Sequence, residues 1–264
     1  MSAESWTLTT LNVNGMRSAV RKGFVRWRPR DQPDVICLQE LRIQPDQMER
    51  EHRAPRGWAR VQADAEKRGY AGVSVWSRLP VLDQGIGIGL DWADAEGRWA
   101  WMDVDAPGIG PVRVVSLYLP SGSSGEARQG MKEAFMDHFF TVARALIDAG
   151  QPAVICGDYN IAHCKIDIHN PTGNKKNSGF LPSERAWMDR LLAQGWVDVF
   201  RACNPDAQEY SWWSNRGRAR ELDRGWRIDY QLATPDLAAR ATEAFIRRRA
   251  GLSDHAPVSV RYRA

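Results

Sequence analysis

Polar side chains stand where the apolar runs of this chain begin or end. Asn12 and Asn14 close "TLTTLNV" (7–13) and its exit, and Glu40 closes "DVICLQE" (34–40). Tyr118 lies near the end of "VRVVSLYLP" (112–120), and Asp158 and Asn160 follow "PAVIC" (152–156). Asp229 interrupts "RIDYQLA" (227–233), and Asp254 and His255 precede "APVSV" (256–260). Taken singly, each reads as a turn or cap residue. Together they matter, because strand ends on one edge of a sheet converge in space.

The residue types fit one chemistry. Carboxylate and amide oxygens from Asn12, Glu40, Asp158, Asn160 and Asp254 are the hard ligands that Mg²⁺ or Mn²⁺ prefers. His255 beside Asp254 offers a proton carrier or a phosphate donor. Tyr118 can donate to a phosphate oxygen. Such a set suits in-line attack of water on a phosphodiester, one carboxylate taking the proton while the metal and neutral donors stabilise charge on the phosphate. A Ser or Cys nucleophile fits less well, since no G-x-S-x-G elbow is present and Cys156 sits in a run too apolar to favour a thiolate.

The elements that must position these groups follow from hydrophobic period. Short apolar or alternating runs predict strands at 7–13, 34–40, 71–77, 99–105, 112–120, 152–156, "VDVF" (197–200), 227–233 and 257–263. Apolar residues three and four apart predict a helix over 127–150, stopped by Gly150. A second helix is predicted over 182–195, opened by Pro182-Ser183-Glu184. Many strands and few helices predict two packed sheets with helices outside, in one domain spanning 1–264, rather than a singly wound sheet. The 43% hydrophobic and 26% charged composition is that of a globular protein, and no run of 18 apolar residues marks a membrane span. "MSAESW" lacks the flank of a signal peptide, so a cytoplasmic monomer is the expectation. The four cysteines lack zinc spacing, and Cys37 and Cys156 read as buried thiols. A net charge of +4 permits a phosphate-bearing partner without requiring one.

The blocks "LNVNGMR", "PDVICLQE", "YAGVSVWSR", "LYLPSG", "GDYNIAH", "NKKNSGFLPSERAWMDRLL", "GWRIDYQLA" and "LSDHAPV" resemble, in order, the motifs of exonuclease III-type AP endonucleases of the endonuclease/exonuclease/phosphatase superfamily. The resemblance implies a four-layer αββα sandwich of two mixed β-sheets flanked by helices. It also implies Mg²⁺-dependent cleavage of double-stranded DNA 5′ to abasic sites, with trimming of blocked 3′ ends. By motif, Glu40 would be the main metal ligand, with Asn12 nearby and Asp254 completing the site. Asp158 would activate water with Asn160 as its partner, Tyr118 would contact the phosphate, and His255 would polarise it, oriented by Asp229. Asn14 stands where some relatives carry Asp.

Four further groups face the same question. The resemblance makes Trp212 and Ile228 walls of an abasic-sugar pocket, and Asn174 and Asn177 DNA contacts. Lys175 and Lys176, beside them, fit phosphate contacts or a solvated loop. The segment 216–229 carries Arg216, Arg218, Arg220, Arg224 and Arg227, expected to meet DNA. "IRRRAG" (246–251) reads as a solvated edge or a DNA contact. His163 and Asp167 are candidates for supporting the site from behind, and His52, His138 and His169 have no metal-spaced partners. Competing functions are a 3′-end specialist with little AP incision, a phosphatase of lipid or inositol phosphates, and a DNA-binding module with an inactive site.

Overall fold

A computed structural model describes residues 5–31 and 33–264. Its strands are β1 (Ser5–Asn12), β2 (Val35–Gln39), β3 (Ala59–Ala63), β4 (Val73–Ser77), β5 (Val81–Ile86), β6 (Trp99–Ala106), β7 (Gly110–Tyr118), β8 (Ala153–Asp158), β9 (Val197–Asp198), β10 (Trp212–Trp213), β11 (Gly225–Trp226), β12 (Asp229–Ala233), β13 (Ala241–Ile246) and β14 (Val258–Arg263). They form two six-stranded sheets, ordered β13-β14-β1-β2-β4-β3 and β5-β6-β7-β8-β12-β9, and a small β10-β11 ribbon. Within each six-stranded sheet one pair is parallel, β1 with β2 and β7 with β8, and the other pairs are antiparallel.

Side-chain alternation explains why the apolar runs are continuous. On β2, Val35 and Cys37 face the core between the sheets while Ile36 and Leu38 face the helices Met16–Arg21 and Phe24–Asp31. On β8, Val154 and Cys156 face inward, and Ala153 and Ile155 meet the helices Glu126–Asp148 and Pro182–Ala193. Each sheet is therefore covered on both faces, which gives the expected αββα layering. The thiols of Cys37 and Cys156 are buried in the central layer.

Toward one end the central layer turns polar. Gln39 Nε2 donates to Ser116 Oγ across the sheets at 2.9 Å, and Ser116 Oγ donates to the Leu38 carbonyl at 2.9 Å. The topology collects the strand-end groups at that end. Parallel β1, β2, β7 and β8 deliver their C-termini there; antiparallel β12 and β14 begin there. Asp229 therefore pairs in register with Asp158, and Tyr118 with Asp158 on the other side.

Several segments depart from the sequence reading. "VDVF" is strand only at Val197–Asp198, because the Asp198 carboxylate accepts from Arg201 N–H at 3.1 Å and caps a helix over Val199–Cys203. The strands β3, β5 and β13, half-exposed or at sheet edges, lack the long apolar runs that marked the others. The loop 163–182 contains a short helix, Pro171–Asn174, capped by Asn170.

Two interactions fix the floor of the polar end. Gly157 precedes Asp158 with φ 147°, and a Cβ there would lie 1.9 Å from the Leu117 carbonyl oxygen, so only glycine lets β7 and β8 close. Lys132, fully buried on the long helix, donates to the Asn160 carbonyl at 2.8 Å and to Glu184 Oε1 at 2.6 Å. Burial holds the Lys132 pKa below the usual lysine range, with Glu184 opposing. Glu184 Oε2 accepts in turn from Gly179 N–H and Leu181 N–H at 2.7 and 3.0 Å.

Gly157→Ala is expected to cost about 3 kcal/mol, from overpacking at a position with no room to relax. A urea midpoint equal to the parent's would mean that β7 and β8 can separate. Lys132→Met strands a buried carboxylate and is expected to cost about 3–5 kcal/mol. A loss under about 1 kcal/mol by the same titration would mean that the backbone amides alone hold Glu184.

Candidate active site

The site grows from the turns that leave β1, β2 and β8. Asn14, Glu40 and Asn160 all have positive φ, at 44°, 51° and 49°, which turns the chain sharply as it leaves each strand. Asparagine tolerates this conformation, whereas for Glu40 it is strained. Strain of this kind persists only where surrounding contacts hold it. Here they do: Gly15 N–H donates to the Glu40 carbonyl at 2.8 Å, and Asn160 N–H donates to Asp158 Oδ1 at 2.8 Å.

Asn12 links the two sheets. Its fully buried amide nitrogen donates to Glu40 Oε1 at 2.8 Å and to Asp158 Oδ2 at 3.0 Å. Its oxygen accepts from Asn14 N–H at 2.9 Å. Asn160 Nδ2 donates to the Leu119 carbonyl at 2.9 Å and reaches Asp158 Oδ2 at 3.3 Å. Glu40 Oε2 also accepts from Arg42. Ligand atoms of Glu40, Asp158 and His255 all lie within 4.8 Å of one another, so this trio could hold a metal ion.

Behind His255 stands Asp229, whose carboxylate oxygens lie 2.9 and 3.1 Å from Nδ1. Asp229 is itself oriented by Ser211, whose Oγ donates to Oδ2 at 2.6 Å and accepts from Asp229 N–H at 3.1 Å. The far ring nitrogen of His255 lies 3.8 Å from Asp158 Oδ2. Burial opposes the charged imidazole, but Asp229, through its charge and hydrogen bond, together with the charges of Asp158 and Asp254 outweighs it and raises the His255 pKa to about 10. Burial raises Asp158 to about 7; the His255 charge works against this, and Asp229 and Glu40 add to it. Burial, with the charges of Glu40 and Asp158, pushes the Tyr118 hydroxyl well above its usual value. The Tyr118 ring lies over the buried Arg98 guanidinium, 4.8 Å from the ring centre, and Arg98 Nη1 donates to the Tyr118 carbonyl at 2.9 Å.

Asp254 stands apart from the trio. Its carboxylate accepts from Asn14 Nδ2 at 2.8 Å, Ser253 Oγ at 3.0 Å and Trp212 Nε1 at 3.2 Å. Burial raises its pKa, but the His255 charge and these donors bring it below the usual carboxylate value.

Beside the trio lies an apolar cluster, reached through Trp212, whose ring centre is 6.4 Å from that of His255. Ala162, Ile168, Phe180 and Ile228 form one buried cluster, with Trp212 and Trp226 packed against it edge to face, their ring centres 6.0 Å apart. Trp213, the neighbour of Trp212 on the strand, points into the central core. Asn177 Nδ2 donates to Asn174 Oδ1 at 2.9 Å, holding the Pro171–Asn174 turn together, while Lys175 and Lys176 are exposed. Arg216, Arg218 and Arg224 are also exposed.

Arg227 is not a DNA-facing arginine. It is fully buried, bonded through Nε to Asp167 at 2.7 Å and through Nη2 to Asp198 at 2.7 Å, because a guanidinium can satisfy two carboxylates at once. Asp167 is thereby spent on Arg227 and Arg201, at 2.6 Å from the latter. His163 pairs with Asp189 at 2.6 Å on the helix Pro182–Ala193. Neither touches the trio of Glu40, Asp158 and His255.

Sequence reading passed over Lys132, Ser211, Arg42, Arg98, Phe180 and Trp226. Trp226 and Glu184 lie inside "GWRIDYQLA" and "NKKNSGFLPSERAWMDRLL", where spacing marked the segment but not the side chain. Lys132 and Ser211 carry no sequence signal, since each acts through contacts made only by folding.

Comparison with known proteins agrees with this geometry. Residues 9–255 match the Endonuclease/Exonuclease/phosphatase family. The chain is 35% identical over 259 residues to an exodeoxyribonuclease of Bacillus subtilis, covering 96% of this chain and 98% of that protein. It is 34% identical over 264 residues to the DNA repair nuclease APEX1 of Danio rerio, covering 98% of this chain and 82% of that one. Among solved structures, the 3′ phosphatase NExo from Neisseria, bound to a product DNA hairpin, superposes with a TM-score of 0.87 at 28% identity, covering 98% of this chain and 100% of the other. An AP endonuclease from Archaeoglobus fulgidus gives 0.85 at 27% identity, covering 97% and 98%. On a match running from within β1 to His255, the chain belongs to the endonuclease/exonuclease/phosphatase family of hydrolytic nucleases.

Proposed function

We propose that the chain is a metal-dependent DNA repair nuclease that hydrolyses the phosphodiester 5′ to an abasic site and trims blocked 3′ ends. One juxtaposition carries the reading. A buried carboxylate–histidine cluster able to work on a phosphate adjoins an apolar cluster, Trp212 lying 6.4 Å from the His255 ring and packing with Trp226 against Ile228. A sugar without its base presents an apolar face that the half-buried tryptophans at the edge of this cluster can meet, whereas the charged ring of an inositol phosphate gains nothing there.

Each side chain has a distinct task. Asp158, with its pKa near neutrality, takes the proton of the attacking water. Asn160 fixes the carboxylate through its backbone and side-chain N–H groups. Tyr118 keeps its proton at neutral pH and donates it to a non-bridging phosphate oxygen. His255, charged through its contact with Asp229, presents the opposite ring nitrogen to the phosphate.

The donor set fits a hard divalent cation, Mg²⁺ or in its place Mn²⁺. Glu40 and Asp158 supply carboxylate oxygens, with Asn12 between them, and burial leaves their charge uncompensated except through Arg42 and His255. A bound cation would neutralise charge developing on the phosphate. Asn14 donates to Asp254 and so directs that carboxylate toward Trp212 rather than toward the trio. The exposed Lys175, Lys176, Arg216 and Arg218, together with Asn174 and Asn177, contact the DNA backbone. The chain acts as a cytoplasmic monomer, and no helix among the described residues is long and apolar enough to cross a membrane.

The deciding measurement uses a labelled duplex with one internal abasic-site analogue and a parallel duplex with a 3′-phosphate at a nick, each with Mg²⁺ and with EDTA. Metal-dependent incision 5′ to the lesion is expected, together with removal of the 3′-phosphate. Removal without incision would mark a 3′-end specialist, and neither activity would point to a non-DNA phosphate ester. On the same duplexes Asp158→Ala should lower turnover by about 10³-fold or more while binding stays near the parental value; retained turnover would sink the general-base role. Asp229→Asn removes the charge that raises His255, so the alkaline limb of the pH–rate profile should move to lower pH. An unmoved limb would mean that His255 is not the group titrating there.

A further inference from the structure

The run Arg247–Arg249 lines a groove of about 960 Å³. Lys22 and Arg26 line it too, together with the buried Trp27 and Leu252. The two sets of cations come from opposite ends of the chain. One follows Asn14 out of β1 and the other leads into Asp254, and the Asn14–Asp254 hydrogen bond fastens the segments beside the catalytic site. The groove is therefore a flank of that site.

Its charge is one-sided. Among the described residues no Asp or Glu lines it, and Lys22, Arg26 and Arg249 are exposed and form no ion pair with any described residue. Arg248 is tied down, paired with Asp223 at 2.7 Å. It also exchanges hydrogen bonds with Arg220, each guanidinium donating to the other's carbonyl at 3.1 Å. Arg220 Nη1 donates to the Ser253 carbonyl at 2.6 Å. The segment bearing Arg216 and Arg218 is thus bolted to the rim of the groove, and the two sets of exposed cations form one track.

Independent solvated arginines need no such bracing. Like charges brought together in a concave surface repel, and that arrangement is stabilised by an anion lying along it. A polymer of regularly spaced phosphates fits several separate exposed cations better than a single small anion does.

We propose that this groove is a further DNA contact, in which Arg26 and Arg249 grip the phosphate backbone of the duplex flanking the lesion on one side. The inference rests on the nuclease reading, and it adds a requirement for duplex length on that side.

The test compares the parent, Arg26→Glu/Arg249→Glu and Arg26→Lys/Arg249→Lys on three abasic-analogue duplexes. One ends close to the lesion, and the others are extended by about one helical turn, roughly 10 base pairs, on one side or the other. Fluorescence anisotropy in EDTA reads binding, and single-turnover incision in Mg²⁺ reads chemistry. The expected result is confined to one extended duplex: the glutamate variant binds it roughly tenfold or more weakly, and its slope of log K against log salt shrinks by about 2. The lysine variant binds as the parent does, and incision of the short duplex at saturating enzyme is unchanged in both variants. No loss on either extended duplex, or an equal loss on all three, overturns the groove. Binding that depends on length and on Arg26 and Arg249, in a parent that leaves the abasic site intact, would instead retain the groove and remove the nuclease reading.

Discussion

A single amide holds the catalytic end together. Glu40 belongs to one sheet and Asp158 to the other, and both carboxylates accept from the same Asn12 nitrogen. Two buried negative charges would otherwise drive the sheets apart at that end, since carboxylates removed from water repel strongly and lose their hydration. The shared donor, the His255 charge on one side and Arg42 on the other make the arrangement tolerable while keeping it electron-rich. Much of the surrounding structure maintains this condition. Gly157 lets β7 and β8 close beneath Asp158, and Ser211 aims Asp229 at His255.

Sheet topology explains why six separate segments supply one site. In a sheet of mixed direction, a parallel pair presents two C-terminal ends together, and antiparallel neighbours begin at that same end. Each six-stranded sheet has one such pair near its middle, with β14 beside β1 and β12 beside β8. Functional groups therefore fall at strand exits and entries, leaving strand interiors free to be apolar. The left-handed backbone at Asn14, Glu40 and Asn160 is the local cost of reversing direction so close to the chemistry.

This division determines what the sequence can reveal. Asn12, Glu40, Asp158, Asp229 and His255 were legible because each ends a run whose hydrophobicity is dictated by burial on both faces, so a polar residue there stands out. The long helix and the central strands were legible for the same reason. Edge strands β5 and β13 were not, because a strand with one exposed face and no partner on one side needs no unbroken apolar run. "VDVF" has strand composition, but a carboxylate cap at Asp198 overrode it. Lys132 and Arg227 were hidden differently. A charged residue in sequence implies solvent unless its partner is known, and Glu184, Asp167 and Asp198 are remote in the chain. Counting arginines therefore overstated the exposed charge of 216–229 by Arg227, which is fully buried, and by Arg220, half-buried with its guanidinium donating to the Ser253 and Arg248 carbonyls.

Charge is segregated across the molecule in a way its modest net value conceals. The acidic groups of the site are buried at the end of the sandwich, whereas exposed cations without described ion-pair partners, among them Lys22, Arg26 and Arg249, stand around it. A phosphodiester brought to the acidic centre alone would be repelled. Exposed cations attract the polyanion over a range set by ionic strength, about 10 Å at ordinary salt, and a buried cluster acts only after contact has excluded water. Attraction and chemistry thus demand opposite charges at different depths. The fold meets both demands by placing carboxylates on strand ends, where the backbone is rigid, and arginines on the loops that the strands connect. It also makes the two separable, since exposed arginines can change binding without disturbing the buried network that holds Asp158.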